Sequence, residues 1–210
     1  YWISKDGDAV ESGITEDEVE FPIHRIHSMP MVDISVLKHG NVGTMLDIQK
    51  SAADEIRKAI DKATITVLSA AVPAERTVTV TGGKLTEDAI NEAISFIEDM
   101  ELSVKYLLMR GARTNDMRGW NLDPQTKREM QLKGIFKIYN GAEIIATSSM
   151  ALTEVILIPD EEVGKFAIRQ PLSTETINEP KRFKTGWLAW MEAAHGIIRS
   201  DLLTKVVILP

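Results

Sequence analysis

The residue types that most often carry chemistry are thinly spread in this chain. Its four histidines are His24, His27, His39 and His195. A zinc site draws three or four ligands at recognisable spacings. On a strand, the three-residue step from His24 to His27 puts the two rings on opposite faces, a poor start for a chelate. His195 stands alone among Ala193, Ala194 and Gly196. There are no cysteines, which excludes disulfides and thiolate metal sites. The histidines read as solvated or packing residues, and neither a metal nor a cofactor is expected.

Acidic neighbours occur at Asp17/Glu18, at Glu98/Asp99 and at Asp160, Glu161 and Glu162. The first and last groups fall in expected turns, and the middle one on the outer side of an expected helix. Solvated carboxylates account for all three. Gly82 and Gly83 join an expected strand to an expected helix, as a phosphate-binding loop would. Such a loop needs a bare, positive helix N-terminus, and Glu87 and Asp88 already occupy this one. No Gly-Lys-Ser/Thr ending, GxGxxG or GxSxG motif is present. No catalytic residue is expected, and the chain reads as a non-enzyme.

The bulk properties agree. The chain has 210 residues, enough for one or two domains with a real core. Its net charge is -7, and its longest basic patch is Lys181, Arg182 and Lys184. Dedicated nucleic-acid binders carry basic stripes, because phosphate neutralisation supplies most of their affinity. An acidic protein can still enclose DNA, and mild repulsion would keep its lining from sticking to the contents. No apolar run approaches the roughly 20 residues of a membrane helix, so no membrane partner is expected. Lack of cysteine suits a reducing cytoplasm. No signal peptide is visible. The first residue is Tyr1, and the start reads as a processed or missing end.

The elements that position these residues follow from periodicity. Residues 1–36 have no helical period and read as extended arms around an acidic turn at Thr15, Glu16, Asp17, Glu18 and Glu20. A ribbon of this kind is marginal alone, so its partner surface is expected on another copy of the chain. Met45, Ile48, Ala52, Ile56, Ala59, Ile60 and Ala63 recur at three- and four-residue steps and predict a long helix over 44–68. A strand over 77–81 follows. Thr86 reads as the N-cap of a helix whose buried face is Ala89, Ile90, Ala93, Ile94, Ile97 and Met100. Residues 104–109 read as a buried strand. An irregular piece begins at Thr114, Asn115 and Asp116, and Asp123-Pro124 opens a short helix to about 132. Asn140-Gly141 predicts a hairpin turn. A second hairpin is expected from 154–158 to 166–169. Residues 187–199 and 205–209 read as strands, although 187–194 fits a helix equally well. The class is α+β, with strands pairing across large sequence separations.

Four tryptophans are present, and Trp2, Trp187 and Trp190 lie in segments expected to be extended, where an interface would use them. With Ile3, Phe21, Ile23 and Ile26 they are the expected inter-subunit contact residues.

The order of elements resembles the Hong Kong 97-type major capsid proteins of tailed bacteriophages. FPIHRIHSMPMVDISVLKHGNVGTMLDIQKSAADEIRKAI resembles the end of their extended loop leading into the spine helix. KYLLMRG resembles the strand after the first body helix. LKGIFKIYNGAEIIATSSM resembles their glycine-turned hairpin with its serine-rich segment. TEVILIPDEEVGKFAIRQPLS resembles their next hairpin, and GWLAWMEAAHGIIRSDLLTKVVI their closing strands.

The resemblance implies a fold with an extended loop or arm, a long spine helix, and a central mixed sheet flanked by helices. It divides the chain into an arm (1–36), a peripheral domain (37–82 with 172–200) and an axial domain (83–171 with 201–210). It implies an icosahedral head shell, built of pentamers and hexamers of this chain in the host cytoplasm and carried in the virion. Scaffolding, portal and decoration proteins would be partners, and double-stranded DNA would be enclosed without sequence-specific binding. An encapsulin-type nanocompartment shell, another phage structural protein (tail or portal-associated), and an enzyme using the histidines and the 160–162 cluster are the alternatives.

Overall fold

Two apolar strands set the centre of the molecule. Leu107 and Leu108 are adjacent, yet each is buried in a different cluster, one on either face of a sheet; Ile156 and Leu157 are divided in the same way. Strands buried on both faces read as continuous apolar runs, as VKYLLM and EVILIP do. The computed structural model that shows this describes residues 21, 23–34, 43–120 and 138–210.

The described strands are β1 (Ile23–Ser28), β2 (Met31–Asp33), β3 (Thr77–Val80), β4 (Val104–Met109), β5 (Ile138–Tyr139), β6 (Ala142–Ala146), β7 (Glu154–Pro159), β8 (Gly164–Glu179), β9 (Lys184–Ile197) and β10 (Thr204–Ile208). The helices are α1 (Gly43–Ala71), α2 (Glu87–Glu98) and α3 (Gly111–Arg118). Six strands form a mixed sheet in the order β3-β10-β7-β4-β6-β5. The other four form a second sheet in which β9 carries β1 and β2 along one side and β8 along the other.

One face of the six-stranded sheet is covered by α2, whose Ala89, Ile90, Ala93, Ile94 and Ile97 form a three-and-four-residue stripe buried with Leu107, Leu157, Val206 and Ile208. Glu87 and Asp88 lie in its first turn, where the helix dipole favours them. Thr86 takes the extended N-cap backbone, but its hydroxyl makes no capping bond. The Asn140-Gly141 turn has positive φ at both residues, 45° and 82°, as a two-residue hairpin requires. Tyr139 anchors that hairpin to α2, donating to Asn91 Oδ1 at 3.0 Å. Burial, helped by nearby Glu87, pushes the Tyr139 phenol up to about 12.

The opposite face takes the end of α1. Leu68 and Val72 pack with Leu108, Met150, Ile156 and Leu203. Two turns and more upstream, Ala52 and Ile56 of the same helix pack on Ala189, Met191 and Ala193 of β9. One 29-residue helix therefore serves two sheets. Polar ties accompany both contacts: Ser28 donates to Glu55 beside the four-stranded sheet, and Ser69 donates to Glu154 at 2.7 Å beside the six-stranded one.

Three expectations are corrected. Residues 23–33 pair along β9 of their own chain, Ile23 opposite Ala194 and Met31 opposite Gly186. This part of the arm finds its sheet without a second copy, because a long strand distant in sequence offers it an edge. Strands β7 and β8 do not form a hairpin. β7 pairs with β4 and β10, whereas β8 crosses to the other sheet and pairs with β9. Thr114, Asn115 and Asp116 lie within α3, whose Met117 is fully buried. The expected helix over 124–132 lies outside the described residues. Residues 187–194 are extended.

Candidate assembly surface

A long exposed feature among the described residues is the β8–β9 ribbon. β8 runs 16 residues and forms an edge of its sheet, with most of its length exposed. An edge strand leaves a row of unpaired N–H and C=O groups that can template another chain. The register shifts between Ile168 and Gln170 and again between Gln170 and Ser173, around Pro171. Bulges and proline break such an edge into shorter pieces.

Side-chain alternation assigns the two faces. Ala189, Met191 and Ala193 face α1, so Leu188, Trp190 and Ala194 point the other way. Residues opposite in register share a face. Phe166, opposite His195, and Ile168, opposite Ala193, are therefore on the α1 side. The helix covers β9 and β1 but not β8, and these two side chains are left 46% and 54% exposed.

On the other face, Glu192 sits between two guanidinium groups from the flanking strands, Arg25 at 2.5 Å and Arg169 at 3.8 Å. The Arg25 hydrogen bond holds the Glu192 carboxyl below the usual carboxylate range.

The expected contact residues are distributed over both faces. Trp2 and Ile3 lie outside the described residues. Phe21 lies against Gly196, where any Cβ would run into its ring. With Ile23, which is 49% exposed, and half-buried Trp190, Phe21 shares the face away from α1. Ile26 turns inward onto Ala52, Ile56 and Met191. Trp187 is half-buried on the α1 side, and its indole N–H is buried without a hydrogen-bond partner.

Sequence reasoning missed Phe166, Ile168 and Phe183. Phe166 and Ile168 were read as one arm of a hairpin on β7, where burial would be expected. Phe183 ends a tight turn, Pro180–Arg182, at the ribbon tip. Its φ of 51° is left-handed, which costs a bulky L-residue about 1 kcal/mol or more. Its ring is 70% exposed.

The residues considered for chemistry are not gathered into a site. Among the described residues no group of three or more His, Asp or Glu could hold a metal. Asp160, Glu161 and Glu162 are each held by a different cation: Lys105 at 2.6 Å, Arg199 at 3.0 Å and Lys165 at 4.0 Å. His24 and His27 lie on opposite faces of β1, as expected. The fold does bring His24 to His195, with ring centroids 6.1 Å apart, and stacks Phe166 on His195 at 6.4 Å. His195 is buried, its Nδ1 has no partner, and burial, then His24, lowers its pKa. Gly82 and Gly83 form a turn with φ of 96° and 70°.

No protein-family model and no curated protein matches the sequence. Solved structures do match. A structure from Microbacterium phage Oxtober96 aligns over 100% of this chain and 82% of its own, with a TM-score of 0.70 and 15% identity. The mature capsid of bacteriophage PhiM1 aligns over 100% of this chain and 80% of its own, at TM-score 0.63 and 12% identity. The holo-SrpI encapsulin complex from Synechococcus elongatus PCC 7942 aligns over 88% and 73%, at TM-score 0.63 and 14% identity. Helices and mixed sheets are thus arranged in the Hong Kong 97-like capsid fold, as the order of elements implied.

Proposed function

We propose that this chain is the major capsid protein of a phage or prophage head, self-assembling into an icosahedral shell around double-stranded DNA. The observation that carries the reading is the match in fold over the full chain to phage capsid subunits, the PhiM1 mature capsid among them. The long, exposed, partly apolar ribbon is what a subunit designed for contact with its neighbours needs. In this reading the six-stranded body clusters around the symmetry axes in pentamers and hexamers. The four-stranded sheet, with the ribbon and α1, forms the periphery. Closed symmetry lets one modest patch be used many times. The chain catalyses nothing. It assembles in the host cytoplasm with scaffolding, portal and decoration partners and ends in the virion. DNA is enclosed without sequence readout.

A second reading is an encapsulin-type nanocompartment shell, favoured by the match to the Synechococcus encapsulin. Electron microscopy of the purified full chain, with an assay for nuclease-protected DNA, separates the two. Closed shells containing protected DNA support the capsid. Closed shells with protein cargo and no DNA support the compartment. Open rings or a persistent monomer overturn both. Deleting residues 1–20 is expected to leave a folded body that cannot close shells, and normal particles from that variant would remove the arm from assembly.

A further inference from the structure

His24 and His195 are far apart in the sequence and adjacent in the fold. His24 lies opposite Ala193 in the register of β1 on β9, so His195 is its diagonal neighbour on the same face. Their ring centroids are 6.1 Å apart, with the planes inclined at 41°. Spacing along the chain set His24 against His27, which lies on the other face of β1, and so could not form this pair.

The two rings differ in setting. His195 is 8% exposed, and its Nδ1 is buried without a hydrogen-bond partner. A buried polar nitrogen costs free energy for as long as nothing bonds to it. Phe166 stacks beside the ring at 6.4 Å. His24 is exposed and leaves the pair open to an ion from solvent. Burial, then His24, lowers the His195 pKa, so at neutral pH its ring is in the unprotonated form that a metal ion requires. Ile26, Ile168 and Ala193 share this face with the pair, while Arg25, Arg169 and Glu192 meet on the other.

The separation of the rings suits one bridging ion. With a metal–nitrogen bond of about 2.0–2.1 Å, each ring centre stands about 3.2 Å from the ion. Centres 6.1 Å apart then subtend roughly 145° at it, and closing them by about 1 Å gives a tetrahedral angle. Rotation of the exposed His24 side chain is enough for that.

We propose that His24 and His195 together hold one divalent transition-metal ion that clips β1 to β9. Imidazole suits zinc, copper and nickel, whereas magnesium and calcium prefer oxygen ligands. Two protein ligands make a clip and not a closed cage, and water completes the coordination. The ion favours the folded chain, because unfolding separates its two ligands. The site lies within one chain and does not depend on the shell reading.

The test uses the untagged full-length chain, stripped with a chelator, and nickel chloride as the probe. About 1 mM nickel near pH 7.5 is expected to raise the melting temperature by at least about 2 °C, and EDTA to reverse the rise. Titration calorimetry should show one nickel ion per chain. His24→Gln removes the exposed ligand and leaves the buried ring in place, so it should fold as the parent does while losing both signals. His27→Gln keeps both ligands and should keep both signals. Magnesium chloride at the same concentration should have no effect. A parent that neither binds nickel nor is stabilised by it overturns the proposal. So does a parent-like response in His24→Gln, a lost response in His27→Gln, or an equal rise with magnesium.

Discussion

The six-stranded body and the four-stranded sheet are built from the same strand-forming residues but are finished differently. In the body, nineteen buried residues among those described form one core between α2 and the sheet, and a second cluster lies between the end of α1 and the other face. β4 and β7 have both faces covered. At the other sheet, the buried cluster among the described residues is Ala52 and Ile56 of α1 against Ala189, Met191 and Ala193 of β9, and β8 extends past the helix with Phe166 and Ile168 exposed. The body closes on itself. The ribbon leaves large apolar side chains exposed. A part with its own core can tolerate being moved, whereas a part with a half-made core has its remaining free energy to gain from a neighbour.

The sharpest way to break this contrast is to make cavities in each region. Leu157→Ala, in the centre of the body core, is expected to cost about 3–5 kcal/mol by chemical denaturation, because the surrounding sheet and helix cannot collapse into the space. Ile56→Ala, under the shallow second sheet, is expected to cost about 2–3 kcal/mol, since neighbours at an open margin relax more easily. Equal losses would mean that the two cores are equally closed.

A smaller effect is expected from pH. His195 in the folded chain has its pKa held below the unfolded value of 6.5, first by burial and then by His24. The neutral form is favoured on folding, so this contribution is full above about pH 6.5 and is lost as pH falls toward the folded pKa. Thermal melts from pH 7.5 to 5 should show a steeper acid-side fall for the parent than for His195→Gln. Parallel curves would remove His195 from the pH response.

The smallest stability change is expected where the assembly effect is greatest. Phe166→Ser combined with Ile168→Ser removes side chains that are about half exposed, and should shift stability by only about 0.5 kcal/mol each. Particle yield should nonetheless fall. A variant that assembles normally would show that this side of β8 faces solvent in the finished assembly.

The same contrast governs how legible the chain was. Elements whose signal is local were readable: the 29-residue helix, the α2 stripe from Ala89 to Ile97, and the Asn140-Gly141 turn. Alternation in the stretch that contains β1, and the strand read over 166–169, identified strands but not their partners, and the full run of β8 to Glu179 was not read. β7 and β8 are neighbours in sequence separated by a short turn, and a hairpin was the economical reading. Ile26 packs onto α1 and Phe21 lies on Gly196, contacts between segments far apart in sequence that no local pattern reveals.

By itself, then, the sequence determined the elements, their buried stripes, the order that matches the capsid fold, and the concentration of acid in the first twenty residues. These depend on side-chain period, turn chemistry and charge, which are properties of neighbouring residues. Tertiary structure alone decided that β9 gathers β1, β2 and β8 into a second sheet, that one helix spans both cores, and that Phe166, Ile168 and Phe183 remain uncovered. A strand's pattern shows that it must bury one face, but which edge and which surface it meets depends on the packing of segments far away in the chain, as Ile23 is from Ala194.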